Sequence, residues 1–213
     1  MPEKGIFIVV EGIDGSGKTT QAQLLTNWIF SNYKTIDTVV LTREPSNTRF
    51  TKEIHERLSQ KNKETISMLK DRMLELYVLD REEHVDTLIA PLLSQKHVVV
   101  CDRYKYSTIA YQSSQGILTS HAIRVNAGFP IPDIVLFFNA SPESCVERME
   151  KSGKIMDKFE KKEFLEKVKS QYLQLPHLLP NENILIIDAN RPIAEIHADV
   201  IKAVKIILDD FVK

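Results

Sequence analysis

The stretch Glu11–Thr20 reads EGIDGSGKTT, and its flanks decide how it folds. Before it lies an unbroken apolar run, Ile6-Phe7-Ile8-Val9-Val10, with the β-branched and aromatic content of a buried strand. After it, Ala22, Leu24, Leu25, Trp28 and Ile29 recur at helical spacing. Strand, glycine-rich turn and helix give the pattern GxxxxGK[ST] its required context, with Gly12, Gly17, Lys18 and Thr19 at the defining positions. Glycines let the backbone bend tightly with its N–H groups pointing inward, which makes an anion cradle. Ile13, Asp14, Gly15, Ser16 and Thr20 complete that cradle. The start of the following helix adds its positive dipole end. Lys18 supplies a mobile charge for the β- and γ-phosphates, and the Thr19 hydroxyl a ligand for Mg²⁺. A merely structural Gly-rich turn would carry Lys-Thr by accident. The flanking strand and helix favour a nucleoside triphosphate site instead.

Working outward, further apolar runs rich in β-formers fall at Thr38–Leu41, Val98–Cys101, Ile134–Phe138 and Ile184–Ile187, separated by helical spacings. Uninterrupted strands alternating with helices predict an α/β fold with a parallel sheet covered on both faces. Five strands after a P-loop predict a doubly wound P-loop NTPase sheet flanked by helices. The 213 residues suit one domain. In such sheets ligands sit beyond the carboxyl ends of the strands, so the residues after each run become site candidates.

After the second run, Pro45 disfavours helix at Glu44 and predicts a loop over Thr42–Ser46. Arg43 there can reach an anion or pair locally with Glu44. Glu64 to Leu93 reads as one long helix with room for a single break. Tyr77 and Arg81 share a face of it, one turn apart. They suit either a nucleobase grip, or core packing for Tyr77 with a surface partner, Asp80 or Glu82, for Arg81. Asp102 at the tip of the third run can hold Mg²⁺ through water or cap the next helix, and Arg103 beside it can bridge phosphates. Ser141-Pro142 opens a helix that ends near Ser152-Gly153. The following stretch, with its interleaved charges, suits a lid at about residues 150–162 or a solvated helix start. Asn190, after the fifth run, lies in a loop whose backbone could edge an adenine.

Lys and Arg number 28 against 29 Asp and Glu, so no basic excess points to nucleic acid. No apolar stretch reaches membrane-spanning length, and MPEKG does not open a signal peptide. Cys101 and Cys145 read as reduced, buried thiols. A cytoplasmic protein is expected.

Five segments together resemble the thymidylate kinase family over essentially the whole chain. They are EGIDGSGKTTQ at Glu11–Gln21, TREP at Thr42–Pro45, LYVLDR at Leu76–Arg81, DRYKYSTIAYQ at Asp102–Gln112 and IDANRP at Ile187–Pro192. The resemblance implies Mg²⁺-dependent transfer of the ATP γ-phosphate to dTMP, giving dTDP and ADP, in a homodimer. It implies that Asp14 contacts the sugar 3′-hydroxyl and that Arg43 and Arg103 bind phosphate. It places Tyr77 on the thymine face, Arg81 and Thr108 at the base, and Tyr111 against a ribose 2′-hydroxyl. Arg148 is implied to lie on adenine. Two departures stand out. Gly15 and Ser16 occupy P-loop positions where some members carry arginine, and the stretch Lys151, Lys154, Lys158 offers lysines where such lids usually carry arginines. Ser46-Asn47-Thr48 follows TREP in place of a glycine pair, and Tyr77 replaces the usual Phe. The rival readings are a kinase acting on another pyrimidine monophosphate such as dUMP, UMP or CMP, of which Tyr111 disfavours the ribose forms, and a GTPase. A GTPase needs Asn-Lys-x-Asp late in the chain, and the nearest match, Asn62-Lys63-Glu64-Thr65, lacks the Asp.

Overall fold

Each strand of the sheet ends where an apolar run meets a polar residue. The computed structural model describes residues 4–59, 66–151 and 162–213. Strands β1 (Ile6–Glu11), β2 (Val39–Arg43), β3 (Val98–Asp102), β4 (Ile134–Asn139) and β5 (Ile184–Asp188) all pair parallel, in the order β2-β3-β1-β4-β5. Every residue of β1 and β3 is buried, which is why those runs carry no polar alternation.

All five strands run one or two residues past their apolar runs. Backbone pairing continues regardless of side chain, so Arg43 pairs with Asp102 and Asn139 with Asp188. Thr42 and Arg43 therefore belong to β2, and the expected loop starts at Glu44. The consequence is functional. Glu11, Arg43, Asp102, Asn139 and Asp188 form one polar rim at the carboxyl edge of the sheet.

Helices cover the sheet. Helix α1 (Lys18–Asn32) packs with α9 (Ile193–Phe211), and α5 (Lys105–Ser114) packs with α8 (Lys162–Leu178) and α6 (Thr119–Asn126). In α9, Ile196, Val200, Val204 and Leu208 recur every four residues and are all buried. Each such side chain contributes roughly 1.5–3 kcal/mol by leaving water. In α8, the Tyr172 ring stacks on Phe137 of β4 with centroids 4.8 Å apart. Helices α2 (Thr51–Ser59) and α7 (Pro142–Lys151) follow β2 and β4. Ser141 caps α7, its hydroxyl accepting the Ser144 N–H at 3.2 Å.

The long helical segment contains the one anticipated interruption. Helix α3 (Ile66–His84) passes through a π-helical turn, Val85–Ile89, into α4 (Ala90–Ser94). Backbone angles at His84 and Ala90 stay helical, so the rod continues. The cause is Pro91: it has no N–H for the residue 87 carbonyl, and its ring would clash there in a regular turn. The start of the segment at Glu64, and Asn62-Lys63, lie outside the described residues. So do Gly153, Lys154 and Lys158 of the anticipated lid, while Lys151 is exposed at the end of α7. Both cysteines are free and buried. Among the described residues, no helix is long and apolar enough to cross a membrane.

Candidate functional site

The phosphate loop runs from Gly12 to Gly17 between β1 and α1. Gly17 sits at φ 90° immediately before the helix, in the left-handed region that glycine enters without steric cost. Gly15 sits at φ 80°, and a Cβ there would stand 2.5 Å from the Cys145 carbonyl oxygen of α7. Close approach to α7 thus requires glycine at position 15, which explains why no arginine stands there.

Lys18 opens α1 and is only 6% exposed. Its Nζ donates to the Ile13 carbonyl at 3.3 Å and lies 3.8 Å from Asp14 Oδ1. Burial pushes its pKa down, and the Arg103 charge adds to that; Asp14, Asp102 and Glu11 oppose it. An ammonium so poorly compensated is poised for an anion. Thr19 Oγ1 donates to Asp102 Oδ2 at 2.5 Å, bringing the two anticipated metal residues together. Asp102 Oδ1 is buried and has no partner among the described residues. A hydroxyl oxygen and an orphaned carboxylate oxygen are hard donors that fit Mg²⁺. No three acidic, His or Cys side chains converge on a metal site among the described residues, so most of such an ion's ligands would be phosphate and water.

Two cavities meet over this rim. The smaller, about 300 Å³, is bordered by Gly15, Lys18, Thr19, Asp102 and Arg148. The larger, about 840 Å³, is bordered by Tyr77, Arg81, Thr108 and Tyr111. Asp14, Arg43 and Arg103 border both. Arg43 is exposed at the end of β2, and its side chain has no hydrogen-bond or ion-pair partner among the described residues. The local Arg43–Glu44 pair is therefore absent. Arg103 Nη2 donates to Asp14 Oδ1 at 2.8 Å and to the Tyr111 hydroxyl at 3.3 Å, while Tyr111 donates to Asp14 Oδ2 at 2.9 Å.

Arg81 lies far from the surface position allowed by its spacing. It is 1% exposed, with Nε and Nη2 on Glu44 Oε2 at 2.9 and 2.7 Å, Nη2 also on Thr108 at 3.0 Å, and Nη1 on Asn126 Oδ1 at 2.5 Å. Its guanidinium packs between the rings of Tyr104 and Phe129. Neighbouring Asp80 takes the Ser46 N–H at 2.9 Å and the Thr48 hydroxyl at 2.5 Å, so the chain's departure after TREP is anchored to α3. Tyr77, one turn before Arg81, borders the same cavity, and burial pushes its phenol up to about 12, so the ring stays neutral.

Arg148 spans the far edge of the phosphate loop, donating to the Ala189 carbonyl at 3.0 Å and the Gly15 carbonyl at 3.4 Å. Exposed Asn190 accepts the Ser141 N–H at 2.8 Å, tying the β5 loop to α7. Sequence reasoning missed Glu11, Ser107, Asn126 and the burial of Glu44. Glu11 stood within the quoted motif, but only its packing against α5 and α8 reveals it.

The thymidylate kinase family model matches residues 10–200. The chain is 36% identical over 204 residues to a probable thymidylate kinase of Pyrococcus horikoshii, covering 95% of this chain and 97% of that one. It is 38% identical over 216 residues to a thymidylate kinase of Pelotomaculum thermopropionicum, covering 99% and 97%. A probable thymidylate kinase of Thermococcus kodakarensis is 37% identical over 212 residues, covering 96% and 100%. With a phosphate loop and a second cavity joined by shared arginines, and likeness along nearly its whole length, the chain belongs to the thymidylate kinase family.

Proposed function

We propose that this chain transfers the ATP γ-phosphate to dTMP, giving dTDP and ADP, as a cytoplasmic homodimer. The observation that carries the reading is the pair of cavities bordered in common by Asp14, Arg43 and Arg103. A donor phosphate in one and an acceptor phosphate in the other would meet at two guanidinium groups. Phosphoryl transfer asks the protein mainly for alignment and charge neutralisation. Lys18 and the loop N–H groups hold the donor phosphates, with Arg148 and Asn190 beside the adenosine end. Arg43 and Arg103 hold the acceptor phosphate and Asp14 its sugar. Tyr77, Arg81 and Thr108 receive the base. Thr19 and Asp102 would hold Mg²⁺, which neutralises phosphate charge when bound. The acceptor is already an anion, so no general base is required.

Coupled ADP release measured with dTMP, dUMP and UMP tests the assignment. We expect dTMP to give the highest kcat/KM, and a preference for UMP would overturn it. Tyr111→Ala should raise UMP turnover relative to dTMP, because the ring excludes the 2′-hydroxyl. An unchanged dTMP-to-UMP ratio of kcat/KM would remove that role.

The P-loop here has no arginine, so a lid cation is proposed to meet charge on the transferring group. Lys154 and Lys158 are the leading candidates, with Lys151 third. Alanine at all three should lower kcat while leaving the KM for dTMP nearly unchanged. Wild-type kcat in that variant, with ATP still bound, would assign the charge stabilisation to Arg103 and the metal.

A further inference from the structure

We infer that Glu11 is a positioning residue for Arg103, acting through the Ser107 hydroxyl. Glu11 ends β1 just before the phosphate loop and is wholly buried. None of the roles assigned above uses it. Its Oε1 accepts the Tyr104 N–H at 2.8 Å and the Ser107 N–H at 3.1 Å. Its Oε2 accepts the Ser107 hydroxyl at 2.6 Å and the Tyr172 hydroxyl at 2.8 Å. All four partners present donors, and the two backbone donors cannot turn. Burial pushes the Glu11 pKa up, while the Arg103 charge and these hydrogen bonds pull it down, and a pocket of donors suits an ionised carboxylate, which only accepts. Tyr104 is the N-cap of α5 and Ser107 its third residue, so a side chain from another element caps that helix.

Arg103 stands directly before this cap, at φ 72° in a region that non-glycine residues seldom enter. Its N–H donates to the Val10 carbonyl at 2.9 Å, and its Nη1 donates to Ser107 Oγ at 2.8 Å. An arginine only donates and an ionised carboxylate only accepts. The Ser107 hydroxyl between them can do both. Its single proton points away from Arg103, to Glu11 directly or through the Tyr172 hydroxyl 2.8 Å away that itself reaches Glu11, and a lone pair faces the guanidinium. Glu11 thus fixes the polarity of the chain Arg103→Ser107→Glu11. That leaves Arg103 Nη2 directed at Asp14, where the two cavities join.

The inference rests on the reading of Arg103 as a phosphate ligand, and the test separates the two. Glu11→Gln keeps the shape but adds an NH₂ group. Facing the hydroxyls, that group donates to Ser107 in competition with Arg103. Ser107→Ala removes the link and leaves the charge. Each should lower kcat per folded enzyme roughly tenfold, with KM for ATP within about twofold of wild type. The double variant should lose no more than the worse single one, because both break one chain. A lowered Tm with wild-type kcat in the folded protein would make Glu11 purely structural and overturn the inference. Additive losses would overturn the route through Ser107. If Glu11→Gln does not fold, Ser107→Ala decides alone, and a wild-type kcat there overturns the proposal. Arg103→Ala is the control. Inactivity there with normal single variants sinks only this inference, whereas near-normal activity sinks the reading of Arg103 beneath it.

Discussion

Lys18→Ala leaves a folded protein whose kcat for dTMP phosphorylation is lower by about 10²-fold or more. The ammonium is nearly buried, and among the described residues its only hydrogen-bond and ion-pair partners are the Ile13 carbonyl and the more distant Asp14 carboxylate. On the proposed function, such a charge is held in place for a donor phosphate. The stability consequence has the opposite sign. Burial lowers the Lys18 pKa in the folded state, so the unfolded chain binds that proton more readily. The charge therefore costs the free protein stability in full below the folded pKa, and the cost shrinks as pH rises above that value and is gone above the unfolded pKa. Alanine removes it, offsetting the packing lost with the aliphatic stem. Activity and thermal unfolding of the same preparation check both halves. A variant within threefold of wild-type kcat would remove Lys18 from the chemistry, and a large fall in Tm would make the lysine a structural element.

What the sequence made legible was local. The strands could be found because they are buried on both faces and so run apolar without interruption. The phosphate loop could be found because its strand, turn and helix are contiguous. Arg81 could not be placed, since its partner Glu44 lies 37 residues away and a helical spacing cannot say whether a charge is solvated. Glu11 stands within the motif, yet its four donors come from α5, the N-cap residue before it, and α8. Arg43 was legible as a candidate. Its freedom from Glu44 became clear only once Glu44 was seen facing Arg81. Buried charges paired across long stretches of chain carry no periodic signal, and this site is built from several of them.

Arg81→Leu should destabilise the protein by about 3–5 kcal/mol, the usual cost of leaving one partner of a buried ion pair alone. Glu44 is 4% exposed and, among the described residues, would keep only His84 Nδ1, at 3.2 Å, as a side-chain hydrogen-bond partner. Asn126 and Thr108 would lose donors as well, each in a buried position. The loss of dTMP turnover has a separate origin. Of the five N–H hydrogens of Arg81, four are committed to Glu44, Thr108 and Asn126, which fixes the plane of the guanidinium. One Nη1 hydrogen has no partner among the described residues, in a side chain that borders the larger cavity beside Tyr77. A rigid, single donor suits recognition of one acceptor on a base. The double variant Glu44→Gln/Arg81→Leu separates the two effects, because it removes the stranded charge without restoring the donor. Urea unfolding should show the double variant regaining a substantial part of the lost stability. Its kcat/KM for dTMP should stay as low as in Arg81→Leu. If the double variant recovered stability and turnover together, Arg81 would serve the fold alone and base recognition would belong to other residues. A single variant unfolding at the wild-type midpoint would instead show that the buried pair contributes nothing to hold α3 against the loop after β2.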